Sequence, residues 1–296
     1  MATSSFAANI GVSMSKFDDN FLTVLRHNIQ SHVDTIDGTK VQIEDAQGDV
    51  SRQQAQIENF IASGVDGIVV MLIDADFGRS ISETAANAGV PLVFVNMLPS
   101  GMENFPKDQA WVGSDEYQAG FLETTEVCKQ LDGKGNAVIL MGQLGTTGQR
   151  GRTAATLDVL NTDACKGINV LDKQTGDWMR TPAMDLTTNW VSAGFDIDAV
   201  IANNDEMALG AIQALKASGI DMKDVVIGGV DATQDALNAM EMGDLDVTVY
   251  QSAKGQGQGS IDTVLKIINK EKYDQRVTIP FELVTMDNIG NYKAKN

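Results

Sequence analysis

Short apolar runs alternate with amphipathic stretches along almost the whole chain. Residues 20–33 place their apolar side chains on one face at helical spacing, whereas 67–72 and 199–202 have the length of buried strands. Strands are predicted at 8–14, 40–46, 67–72, 90–96, 111–112, 136–141, 168–174, 199–202, 225–230, 247–251 and 281–284, and helices at 20–33, 51–63, 80–88, 116–131, 150–161, 182–192, 205–218, 233–242 and 257–270. This alternation favours an α/β fold whose mostly parallel sheets are covered by helices on both faces.

The number of strands indicates how the chain is divided. Ten or so strands would make one unusually wide sheet, so the pattern predicts two lobes with a sheet in each. The irregular stretch 98–109, which contains Pro99, Gly101 and Pro106, separates the two runs of elements and marks the boundary between them.

Local signals predict several helix ends. Gly64 and Gly89 stand where a glycine in the left-handed region ends a helix. Thr181 is predicted to cap a helix whose first residue is Pro182. After an apolar strand, Asp205 is predicted to cap the helix at 205–218.

Composition narrows the class of function. Among 296 residues, 43% are hydrophobic and 21% are charged, which is ordinary for a globular protein. The formal net charge of −18 argues against nucleic acid and anionic membrane surfaces as partners. Cys128 and Cys165 fit no metal-binding spacing, and the sequence is compatible with one disulfide or with two separate thiols.

Polar side chains follow several predicted strands at the point where each strand ends. Taken singly, each group is explained more simply as a helix cap or a turn. Together they favour a cleft for a hydroxylated ligand, because the carboxyl ends of parallel strands form the ligand-binding edge of an open α/β sheet. The groups are Lys16-Phe17-Asp18-Asp19-Asn20-Phe21, Asn96, the loop 142–152, Asp177-Trp178-Met179-Arg180, Asn203-Asn204-Asp205, Asp231 and Tyr250-Gln251.

Nucleotide binding and catalysis have weaker support. The glycine-rich segment 142–148 has neither dinucleotide nor phosphate-loop spacing, and 255–259 is interpreted as a flexible entry to a helix. His27 and His32 lie five residues apart in one helix, do not share a face and are expected at the surface. Asp19 and Asp231 could act as an acid and base pair, so a sugar-modifying enzyme stays as an alternative.

Two aromatic residues stand beside these polar groups rather than inside apolar runs. Phe21 and Trp178 are therefore predicted to stack on the apolar face of a pyranose or cyclitol, while carboxylates and amides bind the hydroxyls at its rim.

At these positions the chain resembles the bacterial periplasmic sugar-binding proteins of the ribose and galactose/glucose type. The stretch 16–21 resembles the first-strand motif of the galactose/glucose binders, and 201–208 and 229–232 are similar to both types. The resemblance implies two Rossmann-like lobes joined by a three-segment hinge, residues 1–112 with 252–280 and 113–251 with 281–296. It implies a monomeric solute-binding component of an ABC importer that binds sugar or cyclitol in the interlobe cleft, closes by hinge motion and delivers its ligand to a membrane permease. A periplasmic location, with a signal peptide already removed, follows from the same resemblance.

The resemblance also implies a set of ligand-binding residues. Ser15 stands where the galactose/glucose binders have an aromatic residue, and Thr146 where they have histidine. Trp178 matches the hexose type, whereas Gln251 matches the ribose type. This mixture favours myo-inositol, with a hexose, a pentose or a sugar alcohol as alternatives. The full set is Ser15, Asp19, Phe21, Asn96, Thr146, Arg152, Trp178, Asn204, Asp231 and Gln251.

Two further expectations follow from the same comparison. The turn 131–136 lacks the calcium loop of the galactose/glucose binders, so neither a metal nor a cofactor is expected. A sugar-responsive transcription regulator shares the two-lobed fold but needs an N-terminal helix-turn-helix module, for which the first strand at Ala8 leaves no room.

Overall fold

The computed structural model describes residues 8–296, which fold as two compact units. Unit 1 contains the chain up to Ser114 together with Ala253–Ile279, and unit 2 contains Asp115–Ser252 together with Pro280–Asn296. The sequence-based boundaries after residues 112, 251 and 280 lie within two residues of these positions.

Strands and helices alternate along most of the chain, as the hydrophobic pattern predicted. The strands are β1 (Asn9–Met14), β2 (Lys40–Asp45), β3 (Gly67–Val70), β4 (Leu92–Val95), β5 (Gln109–Gly113), β6 (Lys134–Met141), β7 (Gly167–Thr175), β8 (Ala199–Ala202), β9 (Val226–Gly228), β10 (Thr248–Tyr250), β11 (Arg276–Thr278) and β12 (Glu282–Val284). The helices are α1 (Asn20–Val33), α2 (Val50–Ser63), α3 (Gly78–Ala88), α4 (Glu116–Gln130), α5 (Thr147–Leu160), α6 (Arg180–Ser192), α7 (Asp205–Ala217), α8 (Gln234–Met242) and α9 (Ala253–Ile268). None of the helices in residues 8–296 is both long and apolar enough to cross a bilayer.

Unit 1 is built on a parallel sheet in the order β11-β5-β4-β3-β1-β2. Its central strands β3 and β4 are buried along their whole length, as expected for strands with helices on both faces. Two helices end as predicted, because Gly64 and Gly89 adopt left-handed φ values of 75° and 68°. The register places the carboxyl ends of β1 and β4 at one edge of the sheet.

Unit 2 combines a parallel sheet in the order β7-β6-β8-β9 with the antiparallel pair β10-β12. Its core lies where α6, α7 and α8 pack near buried β8. Cys128 of α4 and Cys165, just before β7, form a disulfide with their Cα atoms 5.8 Å apart. The alternative of two separate thiols is therefore wrong.

The starts of α6 and α9 change the roles that the sequence predicted for their residues. Helix α6 begins at Arg180 with Met179 at the N-cap and no side-chain cap, so the predicted capping role of Thr181 is wrong. Pro182 is still tolerated, because the amides of a first turn have no partner inside the helix. Helix α9 begins at Ala253, so 255–259 is helix and not a flexible entry. A Cβ on Gly257 would lie 3.2 Å from the Leu25 carbonyl oxygen of α1, so this glycine allows close helix packing.

Strand β11 was not predicted from the sequence. It spans Arg276–Thr278, alternates between exposed and half-buried residues, and forms the edge of the unit 1 sheet beside β5. So short and exposed a segment carries no apolar run, and pairing with β5 makes it a strand.

Candidate functional site

The predicted site residues follow strands of the parallel sheets in both units, or occupy the helices just beyond them. In unit 1, Ser15, Asp19 and Phe21 follow β1, and Asn96 follows β4. The remaining members lie in unit 2 and are Thr146, Arg152, Trp178, Asn204, Asp231 and Gln251. Among them, Arg152 contacts Trp178, Asp231 and Gln251.

The residues after β1 have different surroundings. Asp19 is half-buried and caps α1, since its Oδ1 accepts a hydrogen bond of 2.9 Å from the Leu22 amide. Ser15 is 7% exposed, and its backbone carbonyl accepts from the Gly48 amide. Phe21 is 6% exposed and belongs to the hydrophobic core of unit 1, so the interpretation that it is not a core aromatic is wrong. Its contact with a ligand stays a prediction.

Asn96 is held in an unusual backbone conformation at the end of β4. Its φ of 64° is left-handed, and its backbone carbonyl accepts from Trp111 Nε1 at 3.0 Å. Its Nδ2 donates to Oε1 of Gln256, which is fully buried in α9 and donates from Nε2 to Ser114 Oγ. The sequence interpretation missed Gln256, although a glutamine between the glycines of 255–259 was a usable signal.

Arg152 of α5 organises the polar residues of unit 2. It is 4% exposed, and its Nε donates to Glu116 Oε2 at 2.7 Å. Its Nη1 donates to the Asn203 carbonyl at 2.6 Å and lies 3.8 Å from Asp231 Oδ1. Burial alone would lower the pKa of Arg152, but the carboxylates of Glu116 and Asp231 raise it above its ordinary value. The guanidinium is therefore a permanent buried charge.

Gln251 and Asp231 lie on either side of this guanidinium. Gln251 is 1% exposed, and its Oε1 accepts from Arg152 Nη2 at 3.2 Å. Its Nε2 has no hydrogen-bond partner within residues 8–296. Asn296 Nδ2 donates to the backbone carbonyls of both Asp231 and Gln251 at 2.6 Å. A buried amide donor thus lies beside a buried cation, an arrangement suited to the oxygen atoms of a polyol.

Trp178 explains the glycines of the loop after β6. A Cβ on Gly142 would come within 2.0 Å of the indole Cζ2, and one on Gly148 within 3.3 Å of Cη2. The Arg152 guanidinium carbon lies 5.5 Å from the ring centroid, and the φ of Trp178 is 67°. The glycines therefore allow the indole ring to approach the backbone, and Thr146 caps α5 through the Gln149 amide.

The segment 203–205 distributes its roles differently from the prediction. Asn204, predicted to contact ligand, is the N-cap of α7, with Oδ1 accepting from the Met207 amide at 3.1 Å. The capping role assigned to Asp205 is wrong, because its buried carboxylate accepts from Thr233 and Thr248 instead. Asn203 was placed in this strand-end group but not among the ligand-binding residues, and its Oδ1 accepts from the Gly142 amide and so holds the glycine-rich loop.

Other titratable groups lie apart from this set or are buried beneath it. His27 is exposed on α1, and Nε2 of half-buried His32 lies 2.7 Å from Asp262 Oδ1 on α9. Within residues 8–296 no group of three or more histidine, cysteine or acidic side chains is arranged to hold a metal ion. In unit 2, burial raises the pKa of Glu123 well above its ordinary value and that of Asp205 to about 7.

Comparison with known proteins identifies the family of this chain. Residues 10–272 match the model of the periplasmic binding protein domain. The chain belongs to the periplasmic binding protein family. A protein of Rhizobium meliloti named for rhizopine binding is 53% identical over 100% of this chain and 96% of its own length. The D-galactose/methyl-galactoside binding periplasmic protein of Haemophilus influenzae is 32% identical over 98% and 94% of the two chains.

Solved structures agree on the fold. The solute-binding protein of an ABC transporter from Bacillus halodurans, with bound myo-inositol, is 39% identical, covers 100% of both chains and has a TM-score of 0.92. The myo-inositol binding protein of Caulobacter is 22% identical, covers 98% of this chain and 97% of its own, and has a TM-score of 0.90. As a periplasmic binding protein, the chain has the α/β fold with helix-flanked parallel sheets that the sequence predicted, so that prediction is confirmed.

Proposed function

We propose that this periplasmic binding protein is the solute-binding component of an ABC importer for a cyclitol, with myo-inositol as the first candidate. The observation that carries the proposal is the buried donor and acceptor set around Arg152. A neutral polyol needs both kinds of group, and the guanidinium, the Asp231 carboxylate and the Gln251 amide supply them together. The relative with bound myo-inositol supports this choice of ligand.

The proposal gives separate tasks to the residues of unit 2. Arg152 and Gln251 Nε2 donate hydrogen bonds to ligand oxygens, and Asp231 accepts them from hydroxyls. Trp178 contributes the apolar face on which the ring stacks. Asn204 and Thr146 add polar contacts beside their capping bonds.

Unit 1 is proposed to serve the same ligand. Asp19 accepts from a hydroxyl through its carboxylate, and Asn96 and Ser15 add amide and hydroxyl groups. Phe21 adds an apolar contact. A ligand that binds residues of both units stabilises the conformation in which both sets contact it. We propose that this difference in affinity drives the hinge motion of the two units on binding.

Location and partners follow from the family. We propose that the protein works in the periplasm as a monomer and delivers its ligand to a membrane permease. The disulfide between Cys128 and Cys165 suits an oxidising compartment. The net charge of −18 disfavours nucleic acid as a partner. The protein is proposed to release its ligand chemically unchanged, and therefore not to act as an enzyme.

Calorimetric titration tests the proposal. The purified protein is titrated with myo-inositol, glucose, galactose and ribose, and myo-inositol is expected to bind at micromolar Kd or tighter, which corresponds to about 8 kcal/mol. Tighter binding of glucose, galactose or ribose would replace the ligand but keep the class of protein. If none of them binds more tightly than about millimolar, or ~4 kcal/mol, the proposed function is wrong. Mass spectrometry of the ligand after prolonged incubation detects any chemical conversion, which would favour the enzyme.

A further inference from the structure

Asp205 lies beneath the proposed site with its whole carboxylate engaged. The side chain is fully buried at the start of α7. Its Oδ2 accepts from the Thr233 amide at 2.8 Å and from Thr233 Oγ1 at 3.2 Å, and its Oδ1 accepts from Thr248 Oγ1 at 2.7 Å. One carboxylate thus joins the start of α7, the start of α8 and strand β10.

These bonds enclose the segment that carries Asp231. Asp231 and Ala232 have positive φ values of 125° and 50°, which non-glycine residues rarely adopt. The Asp205 amide donates to the Val230 carbonyl at 2.8 Å, and the Ala232 amide donates to Thr248 Oγ1 at 3.2 Å. The turn is therefore held on one side of Asp231 by the Asp205 amide and on the other by Thr248, which bonds to the Asp205 carboxylate.

We propose that Asp205 is a positioning residue, whose ionised carboxylate fixes the turn that presents Asp231 to the ligand. The inference rests on the proposed function, because it takes Asp231 as a ligand contact. Asp205 itself touches no ligand. Its effect passes through Thr233 and Thr248 to a strained backbone that would otherwise relax away from its positive φ values.

The protonation of Asp205 gives this role a distinctive signature. Burial is the main cause that raises its pKa from 3.8 to about 7; hydrogen bonds from Thr248 and Thr233 lower the pKa, and the charge of Glu206 on the same helix raises it. Glu123 of α4 is the other acidic group that interacts with it, and burial raises the pKa of Glu123 as well. Because the folded pKa of Asp205 lies above the unfolded one, its contribution to stability is complete below about pH 4 and is lost as pH rises through about 7.

Ligand affinity should change in the opposite direction. Only the ionised carboxylate accepts all three hydrogen bonds, so lowering the pH through about 7 weakens the turn and the affinity together. If the residue only stabilised the fold, its protonation would change stability and affinity in the same direction. The pH dependence of the two quantities therefore separates positioning from a general structural role.

The experiment measures the myo-inositol Kd and the thermal midpoint at pH 8.5 and 5.5. Asp205→Asn keeps the shape of the protonated acid, so we expect a roughly tenfold weaker Kd at pH 8.5, no change of Kd with pH and no loss of thermal midpoint. Thr248→Val removes one donor at similar volume and should weaken the Kd several-fold, whereas Thr248→Ser should recover most of that loss. Asp246→Asn is the control, because Asp246 also has a raised pKa and accepts from a backbone amide, but from that of Ile227 rather than from a residue of the turn.

Hydrogen exchange of the Thr233 amide follows the turn without any ligand. Exchange of this amide should quicken in Asp205→Asn and not in Asp246→Asn. If the wild-type protein binds none of the tested sugars, the proposed function is wrong, whatever the exchange shows. If it binds, the inference is overturned by wild-type affinity in Asp205→Asn, by parallel losses of affinity and thermal midpoint, or by unchanged exchange at Thr233.

Discussion

The two units carry polar residues at the ends of parallel strands but surround them differently. In unit 1, Asp19 and Asn96 are half-buried; Asp19 bonds to the start of a helix and Asn96 to the side chain of Gln256. In unit 2, Arg152 and Asp231 are each 4% exposed and form a buried ion pair with Glu116 nearby. Asp19 can therefore be truncated without leaving a buried charge unpaired, whereas Arg152 cannot.

The difference in burial predicts that polar residues of the two units affect stability to different extents. Burial of a charge is unfavourable unless partners hold it, so unit 2 keeps its proposed ligand groups fixed at a cost in stability. The proposed ligand groups of unit 1, such as Asp19, are half-buried, so their removal should have little effect on the stability of that unit. We therefore expect removal of a buried charge in unit 2 to cost much more stability than removal of a half-buried group in unit 1.

The largest effect is expected from Arg152→Met. The substitution keeps much of the side-chain volume but removes the cation beside Glu116 and Asp231. Leaving buried carboxylates without their cation should cost about 3–5 kcal/mol in the free energy of unfolding, and the ligand Kd should weaken by roughly a hundredfold or more. Urea unfolding and calorimetric titration measure the two quantities.

Arg276→Met is the matched control in unit 1. Arg276 is exposed and donates to the Met102 carbonyl at 2.7 Å, so its loss should cost less than about 1 kcal/mol. Equal destabilisation by the two substitutions would contradict the contrast between the units.

Removing the disulfide should produce the next largest change, confined to unit 2. Cys128 and Cys165 are 37 residues apart, and the loop-closure model assigns such a crosslink about 4 kcal/mol. In Cys128→Ser with Cys165→Ser, hydrogen exchange should quicken in β6 and β8 and stay unchanged in β1 and β3. Faster exchange in all four strands would mean that the two units unfold together, and the stability comparison between them would then fail.

Much of the fold was readable from the sequence because it rests on local patterns. Helix α1 was predicted with its observed bounds, since its apolar face, Asp19 cap and flanking strands agree. Strand β11 and the start of α9 were not, because they depend on pairing with β5 and on close packing against α1. Those contacts join segments far apart in the chain, which periodicity does not reveal.

The residues of the candidate site could be listed from the sequence as polar groups at strand ends, but the hydrogen bonds between them could not be predicted. The sequence placed Asn204 and Asp205 together and could not tell which side chain caps α7, because both types cap helices well. Only the position of Thr233 and Thr248 decides that Asp205 turns inward. Gln256 was missed because its role is a bond to another side chain rather than a position after a strand, and the bond of Asn203 to the Gly142 amide could not be inferred from its place after β8.

A smaller effect is expected from Gly142→Ala. The new Cβ would come within 2.0 Å of the Trp178 ring, so the indole must move away from the loop and from Arg152. Overpacking of this kind typically costs 1–3 kcal/mol, and loss of the stacking surface should weaken the Kd several-fold. Gly290→Ala in the same unit is the control, since a Cβ there meets nothing within 4 Å. Trp178 fluorescence, compared in the two variants, reports whether the ring has moved, and an unmoved ring with wild-type Kd would remove Trp178 from the proposed site.

The smallest change in stability, and the sharpest test of unit 1, comes from comparing two aspartate caps. Asp19 caps α1 through the Leu22 amide at 2.9 Å, and Asp49 caps α2 through the Arg52 amide at 3.0 Å. Replacing either by alanine removes the same kind of bond, so each variant should lose about 1 kcal/mol in the free energy of unfolding. Only Asp19→Ala should also weaken the ligand Kd, by roughly tenfold, because a hydroxyl loses a charged acceptor. Equal Kd values in the two variants would leave Asp19 as a helix cap alone and would remove it from the ligand contacts proposed for unit 1.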